Sequence, residues 1–164
     1  MASIRDRIIE GLVDLLSAAA SEWSISRRGT TNPMTDSSRV AILSAETHDV
    51  RSQTAPGGVL WNMGVEVAVV VNPADADATE HGGNAYRLLD ARMVELEQLY
   101  PLDGRQDLSL LLGVPEGCVD DLRLDGMRVV DVDETGVGRL VGVHRFTVDY
   151  RHDLNSPGTY GGAS

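Results

Sequence analysis

Val59-Leu-Trp-Asn-Met-Gly-Val-Glu-Val-Ala-Val-Val-Val71 is the stretch whose reading decides the fold. Its odd positions, Val59, Trp61, Met63, Val65, Val67, Val69 and Val71, are all apolar. The even positions, Leu60, Asn62, Gly64, Glu66, Ala68 and Val70, are mixed. Strict alternation places one face in a core and leaves the other half wet, which predicts a single long β-strand. At about 3.3 Å per residue it would reach roughly 43 Å, whereas most strands run only about five or six residues. A strand that outruns its sheet carries a hairpin beyond the helices. Val59, Trp61 and Met63, at its beginning, are therefore interface candidates, and Trp61 reads either as a core tryptophan under a helix or as the anchor of a subunit contact.

Working outward, Pro56-Gly57-Gly58 is a turn cluster, and His48 to Gly58 is expected to join a short strand, Val40–Ala45, to the long one as an extended hairpin. Asn72-Pro73 stops the long strand, because proline has no N–H for the ladder. Upstream, Ile4, Ile8, Leu12, Leu15, Leu16 and Ala19 share one helical face, with Ser3 as N-cap, predicting a helix over Ser3–Ala20. Ser24 to Ser38 reads as a loop whose basic pair is Arg27-Arg28. Ala85, Leu88, Leu89, Met93, Leu96 and Leu99 predict a second helix over Asp77–Leu99, weakened at Gly82-Gly83 by about 1 kcal/mol per glycine, which offers a start near Gly83 as the alternative.

Tyr100 to Asp121 is irregular, and its apolar patch Leu108–Leu112 is expected to plug the core. Leu122–Asp131 reads as a strand with a bulge at Gly126, Asp133 to Gly136 as a turn, and Gly138–Arg151 as a second long strand. In that strand Leu140, His144, Phe146, Val148 and Tyr150 form the apolar face. The order α-β-β-α-β-β predicts an α+β domain over residues 1–151. Four antiparallel strands would carry two helices on one face, and residues 152–164 would form an extended tail. The second face carries Leu60, Val70, Val141 and Val143, which suits contact with another subunit.

The chain has 164 residues and a formal net charge of −11, and all 14 of its basic residues are arginine. That balance argues against general affinity for nucleic-acid phosphates. With 4% aromatic residues, the core must be built from Val, Leu, Ile and Ala. Cys118 is the single cysteine, so neither an internal disulfide nor a cysteine zinc site is expected. The first 20 residues interleave charged and apolar side chains, unlike a signal peptide, and no window resembles a membrane span of ~18–20 apolar residues. A soluble protein made in the cytoplasm is expected.

No phosphate loop ending in Lys-Ser or Lys-Thr, Gly-x-Ser-x-Gly elbow or His-Glu-x-x-His helix is present. His48, His81, His144 and His152 are not paired at metal-ligand spacing and read as ordinary loop and strand histidines. Asp131-Val-Asp133-Glu134 and Asp75-Ala-Asp77 carry the oxygen ligands a hard cation needs, but lack the spacing of a calcium loop. Acidic turns and a helix start explain both. Cys118 has no local base to activate it. Hence no catalytic, cofactor-binding or metal-binding residue is assigned.

Four further segments complete a recognisable pattern: Ile-Arg-Asp-Arg-Ile-Ile-Glu-Gly-Leu, Asn-Pro-Ala-Asp-Ala, Asp-Leu-Arg-Leu-Asp-Gly-Met-Arg-Val and His-Arg-Phe-Thr-Val-Asp-Tyr-Arg. In order and spacing, Ser3 to Arg151 resembles the tail terminator (minor tail, tail completion) proteins of long-tailed phages and gene-transfer particles. The resemblance implies a structural virion protein, not an enzyme, located in the tail or neck and assembled in the host cytoplasm. It implies a ring, commonly of six subunits, that caps the tail tube and ends its growth. The head connector would dock on that ring, and DNA would pass through its lumen without specific binding. Where the pattern gives no match, Arg27, Arg28 and Arg51 are candidate polar contacts to tube or connector. The competing readings are another neck component, such as a head-completion or connector adaptor protein, and a small α+β enzyme or ligand-binding domain.

Overall fold

The computed structural model describes residues 2–29, 39–55, 58–77, 79–102, 107–131 and 139–161, with backbone alone at 52–55 and 130–131. In chain order the elements are α1 (Ile4–Ala19), β1 (Ser24–Arg27), β2 (Val40–Ala45), β3 (Val50–Ala55), β4 (Gly58–Val71), α2 (Ala85–Leu99), α3 (Leu108–Leu111), β5 (Val119–Asp131) and β6 (Leu140–His152). Among the described residues six strands form one sheet in the order β1-β2-β4-β6-β5, with β3 also paired to β4. The α+β class is as expected.

The four-stranded, wholly antiparallel sheet is corrected: β1 runs parallel to β2, and β2 and β3 lie end to end along one edge of β4. β1, read from sequence as loop, has Ile25 as its one apolar side chain. Its place comes from the ladder to β2, flanked by bonds from the Ser24 amide to the Arg39 carbonyl (2.8 Å) and from the Arg28 amide to that of Leu43 (2.7 Å).

β4 is the spine. It spans 14 residues and pairs with β6 from Val59↔His152 to Val71↔Leu140 without a break. Val59, Met63, Val65, Val67, Val69 and Val71 are buried. So are their neighbours on β6, Leu140, His144, Phe146, Val148 and Tyr150. α1 packs Ile4, Ile8, Ile9, Leu12 and Leu16 into the same layer, and α2 packs Leu88, Leu89, Met93 and Leu96. The Ser3 hydroxyl caps α1 by accepting from the Asp6 amide (3.1 Å).

α2 begins at Ala85 rather than Asp77 because Gly82 and Gly83 take φ of 58° and 66°, outside the right-handed helical range. Asp77 instead organises a turn. It accepts from the Thr79 hydroxyl and from the amides of Glu80 (3.0 Å) and Thr79 (2.6 Å), which together hold its carboxyl down at about 2, the hydroxyl most of all. Asn84 caps the helix by accepting from the Tyr86 amide (2.9 Å). β5 bulges between Leu124 and Gly126, as its glycine predicted. The expected turn at Asp133–Gly136 lies outside the described residues.

Of the Leu108–Leu112 patch, Leu112 enters the core while Leu110 stays 79% exposed. The residues after Arg151 do not run free through Gly161. The Asp153 carboxylate accepts from the Thr159 hydroxyl (2.8 Å) and the Gly161 amide (3.1 Å), folding the segment back. The Pro157 carbonyl then accepts the Ile4 amide at the start of α1 (2.7 Å), and Tyr160 packs on the core.

Two close approaches generate predictions. A Cβ on Gly11 of α1 would sit 2.3 Å from the Leu112 carbonyl oxygen, backbone that cannot swing aside. Gly11→Ala is expected to lower stability by about 1–3 kcal/mol in denaturant unfolding; an unchanged midpoint would show that α1 and α3 do not meet there.

The second concerns His144, fully buried, with Nδ1 against the Tyr100 hydroxyl and Nε2 without a partner among the described residues. Burial lowers its pKa below 6.5, against a smaller opposite pull from Glu97. The unfolded chain therefore takes up a proton that the folded chain refuses. Stability contributed by neutral His144 is complete above pH 6.5 and is lost as pH falls towards the folded value. The loss is at most about 1.4 kcal/mol per pH unit. His144→Gln is expected to flatten stability as pH falls below about 6.5 relative to the parent; parallel curves would refute this.

Candidate assembly interface

Among the described residues the sheet is wider and longer than the layer that covers it, and two places on it stay uncovered. The first is at the Trp61 end of β4. Val59 (3% exposed) and Met63 (0%) are already buried in this chain's own core, so of the three apolar candidates Trp61 alone retains exposed area. Alternation identified their shared face, but not that local elements fill most of it.

Trp61 stacks on His152 with ring centroids 6.0 Å apart, and its indole Nε1 has no partner among the described residues. Arg5, Thr47, His48, Asp49, Tyr150 and His152 complete a cleft of about 380 Å³ around it. Asp49 is its organising group. It accepts Arg5 Nε at 2.9 and 3.0 Å and the Tyr150 hydroxyl, while Arg5 also reaches the Glu46 carbonyl. Burial, followed by the bond to Asp49, pushes the Tyr150 phenol well above its ordinary pKa.

The three arginine candidates are not brought together. Arg27 turns onto α1, where it pairs with Asp6 (2.8 Å) and Glu10; the Glu10 bond is the main cause of its raised pKa. Arg28 follows β1 and is exposed. Arg51 is exposed on β3, in register with Trp61. Among the described residues no group of three His, Cys, Asp or Glu side chains is placed to hold a metal. Cys118 is buried, and burial pushes its thiol up to about 11, so it is not a thiolate at neutral pH.

The second uncovered place was missed by sequence reasoning. β5 ends the sheet, and Met127 (55% exposed) and Val129 (58%) point from it to the helical side, where no helix among the described residues covers them. Tyr86, Asp90 and Val94, spaced i, i+4, i+8 along α2, form the opposite wall of a groove of about 310 Å³. That spacing on the flank of α2 was the available signal; which strand lies at the edge follows only from topology.

The face opposite the helices is cross-linked by ion pairs. Arg128 holds Glu66 (2.9 Å), Arg123 holds Asp121 (2.8 Å) and Asp149 (2.9 Å), Arg151 holds Asp120 (2.7 Å), and Arg145 holds Glu46.

No protein-family model and no curated protein matches the chain. Among solved structures, it is similar to a chain in the virion of a native gene transfer agent particle, with a TM-score of 0.51 and 12% identity. The match covers 91% of this chain and 95% of that one. The likeness is one of fold.

Asp49→Ala leaves Arg5 Nε and the Tyr150 hydroxyl without their acceptor and is expected to cost about 1–3 kcal/mol in urea unfolding. A loss below about 0.5 kcal/mol, the usual surface value, would mean that the cleft does not depend on it.

Proposed function

We propose that this chain is a structural component of a phage-like particle and, more narrowly, a tail terminator. In that reading copies of it form a ring, of six subunits by analogy with the resembled family, that ends growth of the tail tube and receives the head connector. The observation that carries the reading is the fold shared almost end to end with a chain of a gene transfer agent virion. The order of segments from Ser3 to Arg151 supports it independently, since that order resembles the terminator family.

The chemistry is consistent with assembly rather than catalysis. The one thiol is protonated, and His144 is enclosed with Tyr100. The ion-paired open face and the net charge of −11 suit a wall past which DNA slides without being gripped. No helix among the described residues is long and apolar enough to cross a membrane.

The test is made on particles. With the gene intact, the chain is expected in purified particles at the head-proximal end of the tail. With the gene deleted, tails are expected to grow past their normal length and heads to remain unjoined. Normal tail length with unjoined heads would assign another neck role. Absence of the chain from particles would overturn the proposal.

A further inference from the structure

The two outer strands of the sheet match each other. β1 runs with β2, against β4; β5 runs with β4 through β6. β1 and β5 are thus antiparallel, one at each end of the sheet, and neither has a second strand partner among the described residues.

They also match in level. One row crosses the sheet as Ile25, Ala41, Val69, Gly142, Val129. The next is Ser26, Ile42, Ala68, Val143, Arg128. The part of β5 left bare by the helices, Met127–Val129, therefore lies at the height of the four-residue β1. The faces agree as well: Ile25 and Val129 both lie on the helical side, and Ser26 and Arg128 on the open side.

From this match of length, direction, level and face, we infer that the partner of the β5 edge is a second copy of this chain. Its β1 adds antiparallel beside Met127–Val130, so that one sheet continues from subunit to subunit. An unpaired edge offers its amides and carbonyls as a template for such addition. The contact joins two different surfaces, so it propagates head to tail and closes into a ring where the rotation allows. Placing Ile25 and the adjoining α1 of the second copy against Val129, Met127, Tyr86 and Val94 gives the bare groove its cover.

The inference deepens the ring proposed above, and its test is independent of particles. Ser26→Cys and Arg128→Cys are prepared separately and mixed under oxidising conditions; Cys118 is buried and takes no part. Opposite residues of an antiparallel pair lie about 4.5–5.5 Å apart between Cα atoms, within reach of a disulfide. A covalent dimer is expected in the mixture and in neither variant alone. Dimers of either variant with itself would indicate a two-fold contact and overturn the inference. So would a protein that sediments as an oligomer yet gives no mixed disulfide, a result that leaves the ring reading intact. A parent protein that stays monomeric at every concentration overturns self-docking, while particle incorporation still decides the virion role.

As a second arm, Val129→Lys, at an exposed position, is expected to raise the concentration for half-assembly at least tenfold. Leu110→Lys, exposed outside the groove, should leave it unchanged. Equal effects of the two, or none from Val129→Lys in a folded protein, would overturn the assignment.

Discussion

The structure depends on one ladder, the unbroken antiparallel pairing of β4 with β6 from Val59↔His152 to Val71↔Leu140. Because side chains alternate strictly, a slip of one residue would send every core valine of β4 to the open face and bring Glu66 and Asn62 beneath the helices. The register is therefore fixed by burial from both strands at once. It sets Val65 beside Phe146 and Met63 beside Val148 in the core, and Glu66 beside Arg145 outside it. The same register carries His144 into the interior, where Tyr100 at the end of α2 meets it. A polar group is accepted there because its neighbours in the ladder leave it nowhere else to point.

That ladder is longer than its covering layer, and the mismatch shapes the surface. α1 and α2 cover the middle of β4 and β6, while α3 and the segment leading into β5 fill the space over the start of β5, where Leu112, Val114, Val119 and Leu122 are buried. Among the described residues nothing covers the far half of β5, so Met127 and Val129 stand exposed although their alternation is that of a core strand. At the opposite end, Trp61 is only half-covered and is braced by His152 rather than by a helix. Both places are consequences of sheet length set against helix number, not of unusual local sequence.

Alternation and helical spacing made the spine, β5, β6 and the buried faces of α1 and α2 legible in the sequence. Each of those signals is local and repeats over many residues. The features not legible are those decided by distant partners. Ser24-Ile-Ser-Arg27 becomes a strand because β2 offers it an edge, and no local pattern announces that. The segment after Arg151 folds back because Asp153 finds Thr159 and Gly161, and because the exposed amide of Ile4 finds Pro157. The interface candidates divide in the same way. Val59 and Met63 were correctly placed on the apolar face, but whether such a face meets its own helices or a neighbour depends on where α1 and α2 lie. Arg27 looked like half of a basic pair until α1 supplied Asp6 and Glu10.

The arginines of the open face are already engaged. On the face away from the helices, Arg123, Arg128, Arg145 and Arg151 each hold a carboxylate. Exposed pairs of this kind contribute little stability individually. Their effect is on what the surface can bind, because a guanidinium already engaged by carboxylates has little left to offer a phosphate. With 25 acidic residues against 14 basic ones, the charge left over is negative. A sheet face neutralised locally, on a chain that is acidic overall, suits the proposed wall that a polyanion passes without being gripped. In the assembly proposed above, the lasting contacts of such a molecule would come from its uncovered apolar ground and open strand edges, surfaces that suit protein neighbours.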